Sequence, residues 1–169
     1  MTNEQLFNKA VKDNQASVYR ICLAYLYDRS HAADLYQEIM LQVWKSMPRF
    51  RGDSSINTWI YRIAVNTAIT YNAQYKKSRH AELPDMGGVA DTGIQEKIQQ
   101  EAELNRLTTA IGQLEEHDRL LVSLMLEGMS YKEIAEITGS NTNNIGVRIN
   151  RIKTRLMKLM DNKTDEDGL

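Results

Sequence analysis

Apolar residues recur at intervals of three and four along most of this chain, and runs alternating every second residue are absent. That period belongs to amphipathic helices, so no sheet is expected. Near the N-terminus Leu6, Ala10, Val11, Val18, Ile21, Cys22, Tyr25 and Leu26 mark one helical face. A second helix is expected over about 30–46, with Ala33, Ile39, Leu41, Val43 and Trp44 among its apolar residues, and Pro48 closes the pattern. A third follows Gly52-Asp53-Ser54-Ser55, where either serine can cap it, and runs to about Lys77. Further on, 94–111, 117–126, 131–138 and 143–160 read as four more helices.

Between the two sets periodicity fails. Pro84, Gly87, Gly88 and Gly93 cluster there, the composition of a linker. The expected fold class is therefore all-α: two small helical domains, 1–79 and 95–160, joined by a flexible linker over 80–94. The polar, acidic segment 161–169 is expected to be a disordered tail.

Composition narrows the classes. No run of 18 apolar residues exists, and the start lacks the basic-then-apolar layout of a signal peptide, so a cytoplasmic protein without membrane insertion is expected. The single cysteine, Cys22, excludes an internal disulfide and a Cys-rich zinc site, and its apolar neighbours suit a buried structural thiol. The net charge of −1 hides a strong segregation. Residues 1–80 hold eleven Lys/Arg against six Asp/Glu, whereas 81–100 hold one against four. Arg148, Arg151, Lys153, Arg155 and Lys158 lie on the last helix with no acid between them, the footprint of phosphate binding.

Residues 130–152, S-Y-K-E-I-A-E-I-T-G-S-N-T-N-N-I-G-V-R-I-N-R-I, fit a helix-turn-helix. Ala135 is small enough for a close helix crossing, Gly139 can take the turn's positive φ, and Ile145 plugs the core with Ile134, Ile137 and Ile149. Asn141 or Thr142 can cap the second helix. Such a unit lays that helix in the major groove, which here offers Asn143, Asn144, Val147, Arg148, Asn150, Arg151 and Lys153. Asn suits adenine, Arg suits guanine and Val can meet a thymine methyl. An ordinary helical hairpin with a solvated basic face is the plainer alternative.

Residues 49–67, R-F-R-G-D-S-S-I-N-T-W-I-Y-R-I-A-V-N-T, interleave cations and aromatics, as single-stranded DNA binding requires. Trp59 with Ile63, one turn on, also reads as core. Upstream, D34-L-Y-Q-E-I-M-L-Q-V-W44 puts Asp34 and Glu38 on one face, and Gln37, Leu41 and Trp44 together. A carboxylate pair can hold a metal, but His31, His80 and His117 are scattered and none has E-x-x-H spacing, so no metal or other cofactor is expected. The favoured reading is a polar docking face above a Leu/Trp core stripe.

In this order these segments closely resemble bacterial sigma factors of the sigma-70 family, specifically the compact extracytoplasmic-function group. The resemblance spans roughly 5–160, and its most specific run is F-R-G-D-S…T-W-I-Y-R-I-A-V-N. It implies a non-enzymatic promoter-specificity subunit, with a region 2 domain before the linker and a region 4 domain after it. By the same resemblance, Asp34, Gln37 and Glu38 would dock on the β′ clamp helices of core RNA polymerase, with Leu41 and Trp44 more structural, and the β subunit would be a second contact. Loop 52–57 (Asp53, Ser54, Ser55, Ile56, Asn57), flanked by Arg51 and followed by Trp59, Arg62 and Asn66, would capture a melted −10 strand. The second helix of the helix-turn-helix would read the −35 duplex. The acidic linker would lie inside the polymerase as a nucleic-acid mimic, and an anti-sigma factor, often membrane-anchored in the family, would cover both modules.

The chain departs from the family where relatives often carry G-T-V-x-S-R; here Asn143-Asn144-Ile145-Gly146-Val147-Arg148 stand. Ile56 and Asn57 are likewise particular to this chain. The −35 and −10 base preferences therefore do not carry over. Two rivals remain from other classes: a plain operator-binding regulator, and a helical metalloenzyme using Asp34 and Glu38.

Overall fold

The computed structural model describes residues 2–78 and 98–166, with side chains for 2–78 and 105–161. The linker expected at 80–94 falls outside the described residues. Within them every regular element is helical: α1 (Asn3–Leu26), α2 (Arg29–Ser46), a 3₁₀ turn (Met47–Arg49), α3 (Ile56–Ser78), α4 (Ile98–Gly112), α5 (Glu116–Leu126), α6 (Tyr131–Thr138) and α7 (Thr142–Glu166).

The boundaries follow from local chemistry. Thr2 and Gln5 form a reciprocal capping box at the start of α1. Tyr27 ends α1 in the left-handed region, and the Asp28 side chain caps α2 one residue later. Pro48 tightens the chain after α2 into the 3₁₀ turn. Of the two candidate serines, Ser55 caps α3, its Oγ accepting from the Thr58 amide at 3.1 Å. Asn141, rather than Thr142, caps α7, accepting from the Asn144 amide at 2.8 Å. Between α6 and α7, Gly139 stands at φ +71°, the conformation that only glycine adopts freely.

Two ends differ from the sequence pattern. α4 is described from Ile98 rather than from 94, and residues 94–97 lie outside the described residues. α7 runs to Glu166, past the end at Met160. No proline or glycine stands between 147 and 166 to stop it.

α1, α2 and α3 pack on one another, and α7 packs on α4, α5 and α6. In the first bundle the buried stripe of α2 is Ala32, Leu35, Ile39 and Val43, stepping by three and four. This corrects one expectation. Leu41 and Trp44 are not core; they are 44% and 50% exposed. Leu41 lies about 200° around the helix from Ile39, and Trp44 about 100° from Val43, so both leave the stripe. In the second bundle Ile134, Ala135, Ile137, Ile145 and Ile149 are all buried, as the helix-turn-helix register requires.

The two bundles also pack on each other, α1 against α5 and α3 against α6. The consequence is legible in α5, where Leu120, Leu121, Val122, Ser123 and Leu124 are buried in succession. Five consecutive buried residues cover the whole circumference of a helix, so α5 is sandwiched between its own bundle and α1.

Candidate nucleic-acid interface

Three surfaces collect the sequence-predicted residues. The first is the outer face of α2. Asp34, Gln37, Leu41 and Trp44 are exposed, and Glu38 is half-buried with its carboxylate held by Gln42 at 2.8 Å. Phe7 of α1 stands edge-on to Trp44 with ring centroids 4.8 Å apart, widening the apolar patch. Acidic and apolar side chains thus share one face, as a protein-docking site needs. Among the described residues, no group of three or more His, Cys, Asp or Glu side chains is placed to hold a metal ion.

The second surface is the loop before α3 and that helix's first two turns. Arg51, Asp53, Ser55, Asn57, Arg62 and Asn66 are exposed, and Ser54, Ile56 and Trp59 half-buried. Trp59 leans on Phe50 with centroids 5.1 Å apart, so it supports the loop while keeping part of its ring open. Asn57 accepts a hydrogen bond from buried Asn14 at 2.9 Å, which ties the loop to α1. Trp59, Arg62 and Asn66 lie one turn apart along one helix face, a strip that can pair a stacking ring with phosphate and base contacts.

The third surface is the outer side of α7. Asn143, Asn144, Val147, Asn150, Arg151 and Lys153 are exposed, opposite buried Ile145, Ile149, Ile152 and Leu156. Val147, an apolar residue left 53% exposed at the centre of a polar face, is suited to a thymine methyl. Arg148 is partly held back, 3.6 Å from Asp118 of α5. Burial, and then the Arg148 charge, lower the pKa of neighbouring His117.

Matches to known proteins fall on the same two halves. The family model for sigma-70 region 2 matches residues 10–78, and that for sigma-70 region 4 matches 104–156. The extracytoplasmic-function RNA polymerase sigma-E factor of Haemophilus influenzae is 32% identical over 172 residues, covering 95% of this chain and 88% of that protein. The chain belongs to the sigma-70 family, in its extracytoplasmic-function group. RNA polymerase sigma factor YlaC of Bacillus subtilis is similar too, 28% identical over 168 residues, covering 95% of this chain and 97% of that one. Two solved structures share the fold. One is the sigma factor RpoE in complex with the anti-sigma factor NepR from Bartonella quintana, with TM-score 0.69 and 22% identity, covering 92% of this chain and 96% of that one. The other is CnrH in complex with the cytosolic domain of CnrY, with TM-score 0.68 and 19% identity, covering 94% and 89%. This sigma factor therefore serves promoter-specific transcription initiation. The region 2 match spans most of α1 and all of α2 and α3; the region 4 match holds the helix-turn-helix.

Several residues of this sigma factor escape sequence reasoning. Arg20 of α1 clasps Glu127 at the end of α5 with two hydrogen bonds of 2.6 and 2.7 Å. The Arg20 bond, with burial opposing it, lowers the Glu127 pKa, and the same bond raises that of Arg20. Arg119 of α5 donates twice to the Tyr25 carbonyl, at 3.1 and 2.9 Å, and once to that of Leu114 at 2.7 Å. Asn72 of α3, buried, donates to Glu116 at 2.8 Å, and Lys76 pairs with the same carboxylate. The Arg62 Nε donates to the Glu136 carbonyl at 3.0 Å. Apart from the Arg119–Leu114 bond, no local spacing announces these contacts, which join residues 40 to 107 positions apart. The only signal for them is the unbroken apolar run at 120–122. Cys22 fits its expected role: buried, with burial pushing its thiol up to about 12.

Proposed function

We propose that this sigma factor holds core RNA polymerase with the outer face of α2, captures a melted −10 strand with loop 52–57 and the start of α3, and reads −35 duplex with α7. Residues 1–79 then form the polymerase-docking and melting domain, and 95–160 the duplex-reading domain. The observation that carries the reading is the outward placement of Leu41 and Trp44 beside Asp34 and Gln37. A regulator that binds its operator as a monomer has no use for a large exposed tryptophan on its non-DNA module. A subunit that recognises a protein surface does, because buried aromatic anchors dominate such interfaces.

No covalent chemistry is needed. Melting follows when unstacked bases bind better than paired ones. Two modest DNA contacts suffice, because tethering through one chain and one polymerase raises their effective concentration. The protein acts where core polymerase acts, in the cytoplasm; no helix of the described residues is long and apolar enough to cross a membrane. An anti-sigma factor controls it, a reading supported by the structurally similar RpoE, which is bound to the anti-sigma factor NepR.

Permanganate footprinting on a bound promoter tests this reading. Reactive, unpaired thymines are expected only when this chain and core polymerase are both present, and Arg62→Ala with Asn66→Ala should suppress them. Protection of duplex by the chain alone, with no unpaired thymines on adding polymerase, would favour the plain regulator.

A further inference from the structure

Asn14 sits in the middle of α1 with only 5% of its surface exposed. A buried amide in a helix interior is unfavourable on two counts. Asparagine is a poor helix former, and its polar atoms must find partners away from water. A leucine, with the same branched outline, has neither cost. The partners that Asn14 finds are therefore informative. Its Nδ2 donates to the Ala10 carbonyl one turn back, at 2.9 Å. The same nitrogen donates to the Asn57 Oδ1 at the start of α3, also at 2.9 Å.

These two bonds fix a polarity. A backbone carbonyl can only accept, so the Asn14 atom beside it must be the nitrogen. That nitrogen has two hydrogens, and each has one of the two partners. The Asn57 atom that meets the second hydrogen must accept, so it is the oxygen, and the Asn57 amino group is turned away. Flipping Asn57 would set donor against donor; flipping Asn14 would set acceptor against two acceptors at a buried group. Asn57 itself is exposed. Its backbone is held as well, because Ser55 caps α3 through the Thr58 amide. The Ser55 hydroxyl also bonds the Thr58 Oγ1 at 2.9 Å, so these two neighbouring hydroxyls engage each other.

We propose that Asn14 is a positioning residue for base selection: it holds Asn57 with the amino group outward, so that the loop before α3 reads an unstacked base as a hydrogen-bond donor. The inference rests on the strand-capture reading given above and names the base edge that this site selects. An unrestrained asparagine suits adenine, because its oxygen and nitrogen together match N6 and N7. With its oxygen turned to Asn14, Asn57 loses that mode. An unstacked base enters a pocket with the edge opposite its sugar foremost, and is read on its Watson–Crick edge. The outermost group there is a carbonyl oxygen in thymine and guanine, and an amino group in cytosine and adenine. A fixed donor therefore takes thymine or guanine over cytosine or adenine. The contact also loses little entropy, since the Asn57 side chain is ordered before the base arrives.

Selection from a randomised single-strand library by the complex of this chain with core polymerase tests the inference. Strands held by the unaltered chain should show one position enriched in thymine and guanine, about fivefold or more over cytosine and adenine. Asn57→Asp keeps one oxygen for Asn14 and puts the other outward, so the same position should turn to cytosine and adenine. Its added charge weakens all strands alike, so the ratio of bases is read and not the affinity. Asn14→Leu leaves Asn57 in place but free to rotate, and should lose the preference at that position and admit adenine. Circular dichroism of both variants checks that the helices persist. Enrichment of cytosine or adenine by the unaltered chain, or no response at any position to Asn57→Asp, would overturn the donor reading. Equal weakening for all four bases in Asn14→Leu, with the preference kept, would make Asn14 structural and overturn its positioning role. Failure of the strand-capture reading looks different, and would take this inference with it: the complex would then retain no more strand than core polymerase alone, whatever the base.

Discussion

The ring of Phe7 meets the face of α2 edge-on at Trp44, 4.8 Å between centroids, on the outside of the first bundle. Half of Trp44 remains exposed, so the contact extends an apolar surface instead of closing a core. Trp44→Ala should therefore cost little in folding and much in docking. A loss of at least about 2 kcal/mol in core-polymerase affinity, roughly thirtyfold, is expected of a central aromatic anchor. Calorimetric titration with core polymerase, beside a thermal melt of the free variant, separates the two. A large drop in melting temperature with unchanged affinity would return Trp44 to the core.

Gly146 gives a prediction of opposite sign. A Cβ added there would meet the Tyr131 ring at 3.7 Å, ordinary van der Waals contact, so nothing steric requires a glycine. Gly146→Ala should stabilise the protein by about 1 kcal/mol and raise the melting temperature by roughly 2–4 °C. Scanning calorimetry reads this directly. A lower melting temperature would mean that the position is tighter than the structure has it.

Acid should loosen the junction of α1 and α2. Burial alone would push the Asp28 carboxyl up, but hydrogen bonds from Ser30, Tyr75 and His31 outweigh it and hold the group well below the usual carboxylate range. A pKa lowered by folding contributes stability that is present above the unfolded value and lost as pH falls through the folded one. Asp28→Asn should thus narrow the stability difference between pH 7 and pH 3. Asp28→Ala should cost about 1 kcal/mol at pH 7, the usual worth of an N-cap. Urea titrations at the two pH values measure both, and an unaltered pH dependence in Asp28→Asn would contradict the assignment.

On α7, Arg151 and Lys153 should separate base reading from phosphate binding. Arg151→Ala should cost about 1–3 kcal/mol on the preferred duplex and relax choice at one position. Lys153→Ala should weaken all duplexes alike and lower the salt slope by about one. Binding selections over randomised −35 sequences at two salt concentrations distinguish these outcomes. Equal relaxation in both variants would contradict the division.

Much of this was legible in the chain because its signals are local. The helix-turn-helix register follows from Ala135, Gly139 and Ile145 alone, and capping chemistry reduced the start of α3 to two serines. What could not be read depends on partners distant in sequence. Leu41 and Trp44 look like core residues in a list of apolar positions. Only the stripe Ala32, Leu35, Ile39 and Val43, selected by where α1 and α3 lie, turns them outward. The clasp of Arg20 on Glu127 joins residues 107 positions apart, and neither residue has a neighbour that predicts it. The end of α7 misled for another reason: a polar, acidic composition resembles a tail, yet nothing in it breaks a helix already nucleated upstream.

The most direct test of the central claim is transcription from a genomic promoter library by purified core polymerase, with and without this chain. The account predicts transcripts from a defined subset of promoters only when the chain is present, abolished by Trp44→Ala with Leu41→Ala and redirected by changes at Arg151. An unchanged transcript set on adding the chain would contradict it.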